Sequence, residues 1–97
     1  MSFDTFEPTD TKQFTWQASV APDAAPVFKV YSQLTGTTVA SITSTASDTT
    51  HYYALYTFPN SDNVYYRGEW FALKTVGGSA YQLVTRFVFH VVQTVTP

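Results

Sequence analysis

Ninety-seven residues are enough for one domain with a core of its own, and no second domain is expected. The absence of cysteine excludes a disulfide-stapled secreted module, and five Lys or Arg against seven Asp or Glu give no basic stripe of the kind that binds nucleic acid. Forty-five residues are Thr, Val, Ile, Phe, Tyr or Trp, the types that pack best on a pleated surface, so the chain is predicted to be all-β.

In chain order, residues 1–11 carry Phe3, Phe6 and Pro8 among acids and threonines, and read as an N-terminal arm ahead of a sandwich domain over residues 12–95. The chain opens Met-Ser-Phe-Asp without a basic start or an apolar run, so neither a signal peptide nor a membrane span is expected. Phe14, Trp16, Ala18 and Val20 alternate with polar residues and predict a first strand with one apolar face. Pro22 and Pro26 break it. A second strand over Val27–Leu34 places Phe28 and Val30 opposite Lys29 and Tyr31, and Thr35-Gly36-Thr37 closes it as a turn. Thr38–Asp48, almost all Thr, Ser and Ala around Val39 and Ile42, is read as an edge strand or a loosely held loop.

His51–Phe58 forms the next strand, ended by Pro59-Asn60-Ser61-Asp62. Val64–Val76 follows, with Tyr66, Gly68, Trp70 and Ala72 predicted inward and Tyr65, Arg67, Glu69, Phe71 and Leu73 on the other face. Gly77-Gly78-Ser79 is a hairpin turn, because such turns need the positive φ that glycine adopts freely. The last strand runs to about Val92, with Tyr81, Leu83, Phe87, Phe89 and Val91 inward and Gln82, Arg86 and His90 outward.

Chemistry-bearing residues are few. Two histidines without zinc-type spacing make no convincing metal site, and no cofactor is implied. Ser47, Asp48 and His51 lie close enough for a Ser/His/Asp site, but their setting is ordinary for a turn and no nucleophile elbow accompanies them. Glu69 is expected to pair across the sheet with Arg67 or Arg86. An enzyme is therefore not expected. Seventeen aromatic residues are a surplus for a core of this size. Tyr31, Tyr52, Tyr56, Tyr65 and Phe71 are read as an exposed interface patch, with Phe3 and Phe6 laid on a neighbouring subunit by an arm that orders on assembly.

Asp62, four residues before Tyr66 at a strand start, resembles the tyrosine corner of immunoglobulin-type sandwiches, which suggests a hydroxyl bond to backbone near Asn60–Asp62. More broadly, Tyr52-Tyr53-Ala54-Leu55-Tyr56-Thr57-Phe58-Pro59, then Tyr65-Tyr66 and Trp70, then Phe87-Val88-Phe89-His90-Val91-Val92, resembles the small Ig-like structural proteins of tailed bacteriophages. The first half departs from that pattern, with Leu34-Thr35-Gly36-Thr37 where those domains commonly have a Pro-Asp-Gly type turn. The resemblance implies a single Ig-like antiparallel β-sandwich of about seven strands, made in the host cytoplasm and built into a virion as a head-tail connector, neck, tail or capsid decoration protein. Its partners would be other virion proteins and copies of itself, without sequence-specific nucleic acid or membrane. The alternative is a carbohydrate- or host-surface-binding module, in which exposed Tyr and Trp stack on a glycan.

Overall fold

Strict alternation of apolar and polar side chains gives strands whose two faces differ, and two sheets must then bury their apolar faces against each other. The computed structural model describes residues 4–60 and 62–93 and contains eight strands and no helix among them. The strands are β1 (Asp4–Phe6), β2 (Thr11–Gln17), β3 (Val27–Ser32), β4 (Thr38–Thr43), β5 (Thr45–Ala46), β6 (His51–Thr57), β7 (Val64–Val76) and β8 (Ser79–Val91). One sheet has the order β1-β8-β7-β3-β4 and the other β2-β6-β5. No helix is long and apolar enough to cross a membrane among the described residues.

The core is a stack of rings between the two sheets. Phe14 on β2 lies against Phe28, Phe87 and Phe89 of the larger sheet, at centroid separations of 4.9, 5.7 and 5.9 Å. Trp16 stacks on Trp70 at 5.7 Å, and Phe58 meets Phe89 edge-on at 5.6 Å. The inward face expected for β7 holds throughout, since Tyr66, Gly68, Trp70 and Ala72 are all buried. Gly68 has a steric role there: a Cβ at this position would come within 2.8 and 2.9 Å of the Cε2 and Cε1 atoms of Phe87, its cross-strand partner. The ring of Phe87 occupies the space a side chain would take. Gly68→Ala is expected to cost about 1–3 kcal/mol through overpacking, read as a lowered midpoint in urea unfolding.

The chain changes sheets between β4 and β5 at Ser44, which is buried. Its backbone N–H and its hydroxyl both donate to the Pro26 carbonyl, at 3.0 and 2.7 Å, so the crossing carries no unmet side-chain hydroxyl. Thr38–Asp48 thus contributes a strand to each sheet, an edge in both cases.

Four expectations are corrected. The sandwich is not wholly antiparallel: β1 pairs parallel to β8, with Asp4 opposite Phe89 and Phe6 opposite Val91. Residues 4–11 are therefore no free arm. Phe6 stacks on Phe58 at 4.7 Å and meets Phe14 and Phe89 edge-on, so its ring packs on its own domain because the rim of the ring stack lies open beside it. Tyr81 is exposed and not inward. The β7–β8 hairpin outruns the smaller sheet, and among the described residues no strand of that sheet covers the face that carries Val76 and Tyr81 at its far end. Val20 lies beyond the end of β2 and is likewise exposed.

Candidate interaction surface

The outer face of the larger sheet gathers three of the aromatic residues expected to be exposed. Tyr31 on β3 and Tyr65 and Phe71 on β7 share that face, with Tyr31 directly across from Arg67 and Phe71 across from Val27 and Val84. Tyr65 is 43% exposed and lies flat on His90 at 4.1 Å, while His90 Nε2 is 2.8 Å from Asn63 Oδ1. Tyr31 and Phe71 are half-buried by their neighbours. The other candidates lie elsewhere. Tyr52 and Tyr56 are both only 7% exposed, because they share the inward parity of Ala54 on β6 and of Phe58 just beyond its end. Phe6 is in the ring stack described above, and Phe3 lies outside the described residues.

Electrostatics distinguish this face. Lys29, Arg67 and Arg86, three of the five cations, stand on it with the single acid Glu69. Arg86 Nε donates to Glu69 Oε2 at 2.7 Å, the cross-strand pair expected, and the Tyr31 hydroxyl donates to Glu69 Oε1 at 3.5 Å. Arg67 is held differently, with its guanidinium 4.7 Å over the ring of Tyr31. Among the described residues, Arg67 Nε is buried without a hydrogen-bond partner. Glu69 is thus neutralised by Arg86 while Arg67 and Lys29 keep their charge, which gives the face a net positive character with aromatic rings between the charges.

A concavity of about 480 Å³ lies at one end of the smaller sheet and is lined by Thr15, Trp16, Gln17, Ser47, Asp48, His51 and Tyr52. Ser47, Asp48 and His51 do come together here. His51 Nδ1 is 2.8 Å from each carboxylate oxygen of Asp48, and Asp48 Oδ1 also accepts the backbone N–H groups of Thr50 and His51 at 2.9 and 2.8 Å. The Ser47 backbone N–H donates to the His51 carbonyl, and its hydroxyl bonds to neither partner among the described residues. The Thr50 N–H first, then the His51 ring and the His51 N–H, hold the Asp48 carboxyl down at about 2. What the arrangement does physically is fix the turn between β5 and β6. Trp16 is half-exposed at its edge, with Nε1 donating to the Thr85 hydroxyl at 3.1 Å.

Tyr66 is buried and stacked on Phe89 at 5.6 Å. The backbone expected to receive its hydroxyl includes Ser61, outside the described residues. Burial, with a lesser contribution from the nearby Tyr66 phenol, pushes the Tyr56 hydroxyl up to about 12. The unfolded chain ionises this phenol near pH 10. The folded state holds the proton longer, so the stabilisation is complete below pH 10 and is lost as pH rises from about 10 to 12. Urea unfolding between pH 8 and 12 is expected to show this decline, and Tyr56→Phe is expected to make it shallower.

No side-chain cluster suited to a metal ion occurs among the described residues. No protein family matches the sequence, and neither a curated protein nor a solved structure matches the chain.

Proposed function

We propose that the protein is a structural subunit of a tailed-bacteriophage particle, an Ig-like sandwich that acts through protein–protein contacts as one copy among several. The observation that carries the assembly part is the placement of its large exposed apolar groups. The core closes without Leu34, which is 93% exposed, or Leu73, Val76 and Tyr81 on the projecting end of the β7–β8 hairpin. Exposed apolar groups on a projecting element are a surface that a neighbour removes from water. The positively charged aromatic face of the larger sheet supplies specificity toward a partner rich in carboxylates. The Ig-like topology and the phage assignment rest on the resemblance of residues 52–59, 65–70 and 87–92 to phage structural domains.

Two measurements test this reading. Mass spectrometry of purified particles of the source phage is expected to find the protein, and its absence from particles would overturn the virion assignment. Double substitution Val76→Ser with Tyr81→Ser is expected to leave the unfolding midpoint nearly unchanged and to weaken recruitment into particles. Unaltered recruitment would remove the hairpin from the interface.

A second reading, a glycan-binding module, is favoured by one specific observation: the concavity at Trp16 combines an aromatic edge with Gln17, Thr15 and His51 as hydrogen-bonding groups. It predicts glycan-array binding that His51→Ala abolishes.

A further inference from the structure

We propose that β4 is a self-association edge: two copies pair their Thr38–Thr43 strands antiparallel about a two-fold axis and join two five-stranded sheets into one of ten strands. This deepens the assembly reading and rests on it.

The sheet orders leave four outer strands, β1 and β4 on the larger sheet and β2 and β5 on the smaller. Each outer strand offers a row of unpaired N–H and C=O groups to another chain unless something blocks it. A two-fold antiparallel pairing sets the strand against its own reversed sequence, and a charged side chain on the edge is one of the devices that block such pairing. By that criterion β1 is blocked, being three residues long with Asp4 on it, and β2 is blocked by Lys12. β5 has two residues, too few to hold a register. β4 has six, Thr-Val-Ala-Ser-Ile-Thr, with no charge and no proline. Four of them are β-branched.

The geometry narrows the pairing further. A bulge at Val39, between the pairs Val30↔Ala40 and Tyr31↔Thr38, twists the start of β4. Ala40–Thr43 then runs in unbroken register against Val27–Val30. On the inward face of this run, Ala40 and Ile42 pack against the core yet remain partly exposed, the condition of an edge that lacks a neighbour. A second copy would cover both with its own Ala40 and Ile42. The nearest charge on the adjoining strand is Lys29, opposite Ser41 on the outer face of β3. The two Lys29 residues of a pair would stand three strand spacings apart, roughly 14 Å, beyond the screening length at physiological salt.

Because the chain has no cysteine, single cysteines report the neighbour directly. Ala40→Cys, Ser41→Cys, Ile42→Cys and Thr43→Cys are compared under mild oxidation with Leu55→Cys, an exposed position on β6. Covalent dimer is expected from at least one β4 position with alternation along the strand, and not from residue 55. Ser41→Lys places like charges across the axis and is expected to weaken self-association, measured by light scattering over a concentration series, at least tenfold. Because the new lysine also stands opposite Lys29 of its own β3, a modest fall in the unfolding midpoint accompanies it, and association is measured well below that midpoint. Association that persists in Ser41→Lys with no cross-link on β4 would overturn the edge pairing and leave assembly through another surface. A wild-type chain that stays monomeric at every concentration and yields no cross-link also overturns the pairing, while the particle mass spectrometry independently decides the virion reading. Should Ser41→Lys fail to fold, the cross-linking pattern alone decides.

Discussion

Trp70→Ala is expected to lower the stability of the domain by about 3–5 kcal/mol, the range for removing a large aromatic from a core. Trp70 is 2% exposed and lies between Phe28 at 4.9 Å and Trp16 at 5.7 Å, so it ties β7 to β3 and β2. Its loss leaves a void that Gly68 and Ala72, its neighbours on the same face, have no atoms to fill. A domain of this size holds only about 5–15 kcal/mol in total. The thermal midpoint is therefore expected to fall by more than about 12 °C, and an unchanged midpoint would refute the strand register given for β7.

Phe89→Ala is expected to act as strongly, about 3–5 kcal/mol, but on a different part of the molecule. The ring is fully buried and meets Phe6, Phe14, Phe58, Tyr66 and Phe87, so it joins β1, β2 and β8 and the turn after β6. Removing it takes away a wall of the site that holds Phe6. The variant is expected to lose protection of the β1 amides from hydrogen exchange before those of β3 and β7, because a short edge strand opens locally once its anchoring ring goes. Phe89→Leu fills part of the void and is expected to recover part of both effects. Uniform loss of protection across all strands in Phe89→Ala would show that β1 is not anchored separately.

The difference between what alternation reveals and what it hides is plain in these residues. Period two located β7 from Val64 to Val76 and gave its inward set, because a strand that lies between β8 and β3 is apolar on its inner face along the covered length. The same rule applied to β6 puts Tyr52 and Tyr56 on the side of Ala54 and Phe58. Reading them as surplus surface aromatics set composition above parity, and parity decides. Tyr81 shows the converse. Its parity is that of Leu83 and Phe87, but alternation along one strand carries no information about how far the opposite sheet reaches. β1 left no periodic signal in three residues, and its partner lies at the other end of the chain, where no local pattern records it. The positive face was equally diffuse in sequence: Lys29, Arg67 and Arg86 become neighbours only when β3, β7 and β8 pair in the observed register.

The parallel pairing of β1 with β8 also fixes how the domain bears load. If it is pulled by its two ends, tension enters β1 at Asp4 and leaves β8 at Val91, which are opposite ends of the paired segment. The pair is then loaded in shear. Its hydrogen bonds, together with the one from the Val92 N–H to the Phe6 carbonyl, must give way together, whereas an antiparallel pair loaded this way would open one bond at a time from one end. Three residues of strand, backed by the Phe6 ring wedged against Phe58, make a small mechanical clasp across the outermost parts of the fold.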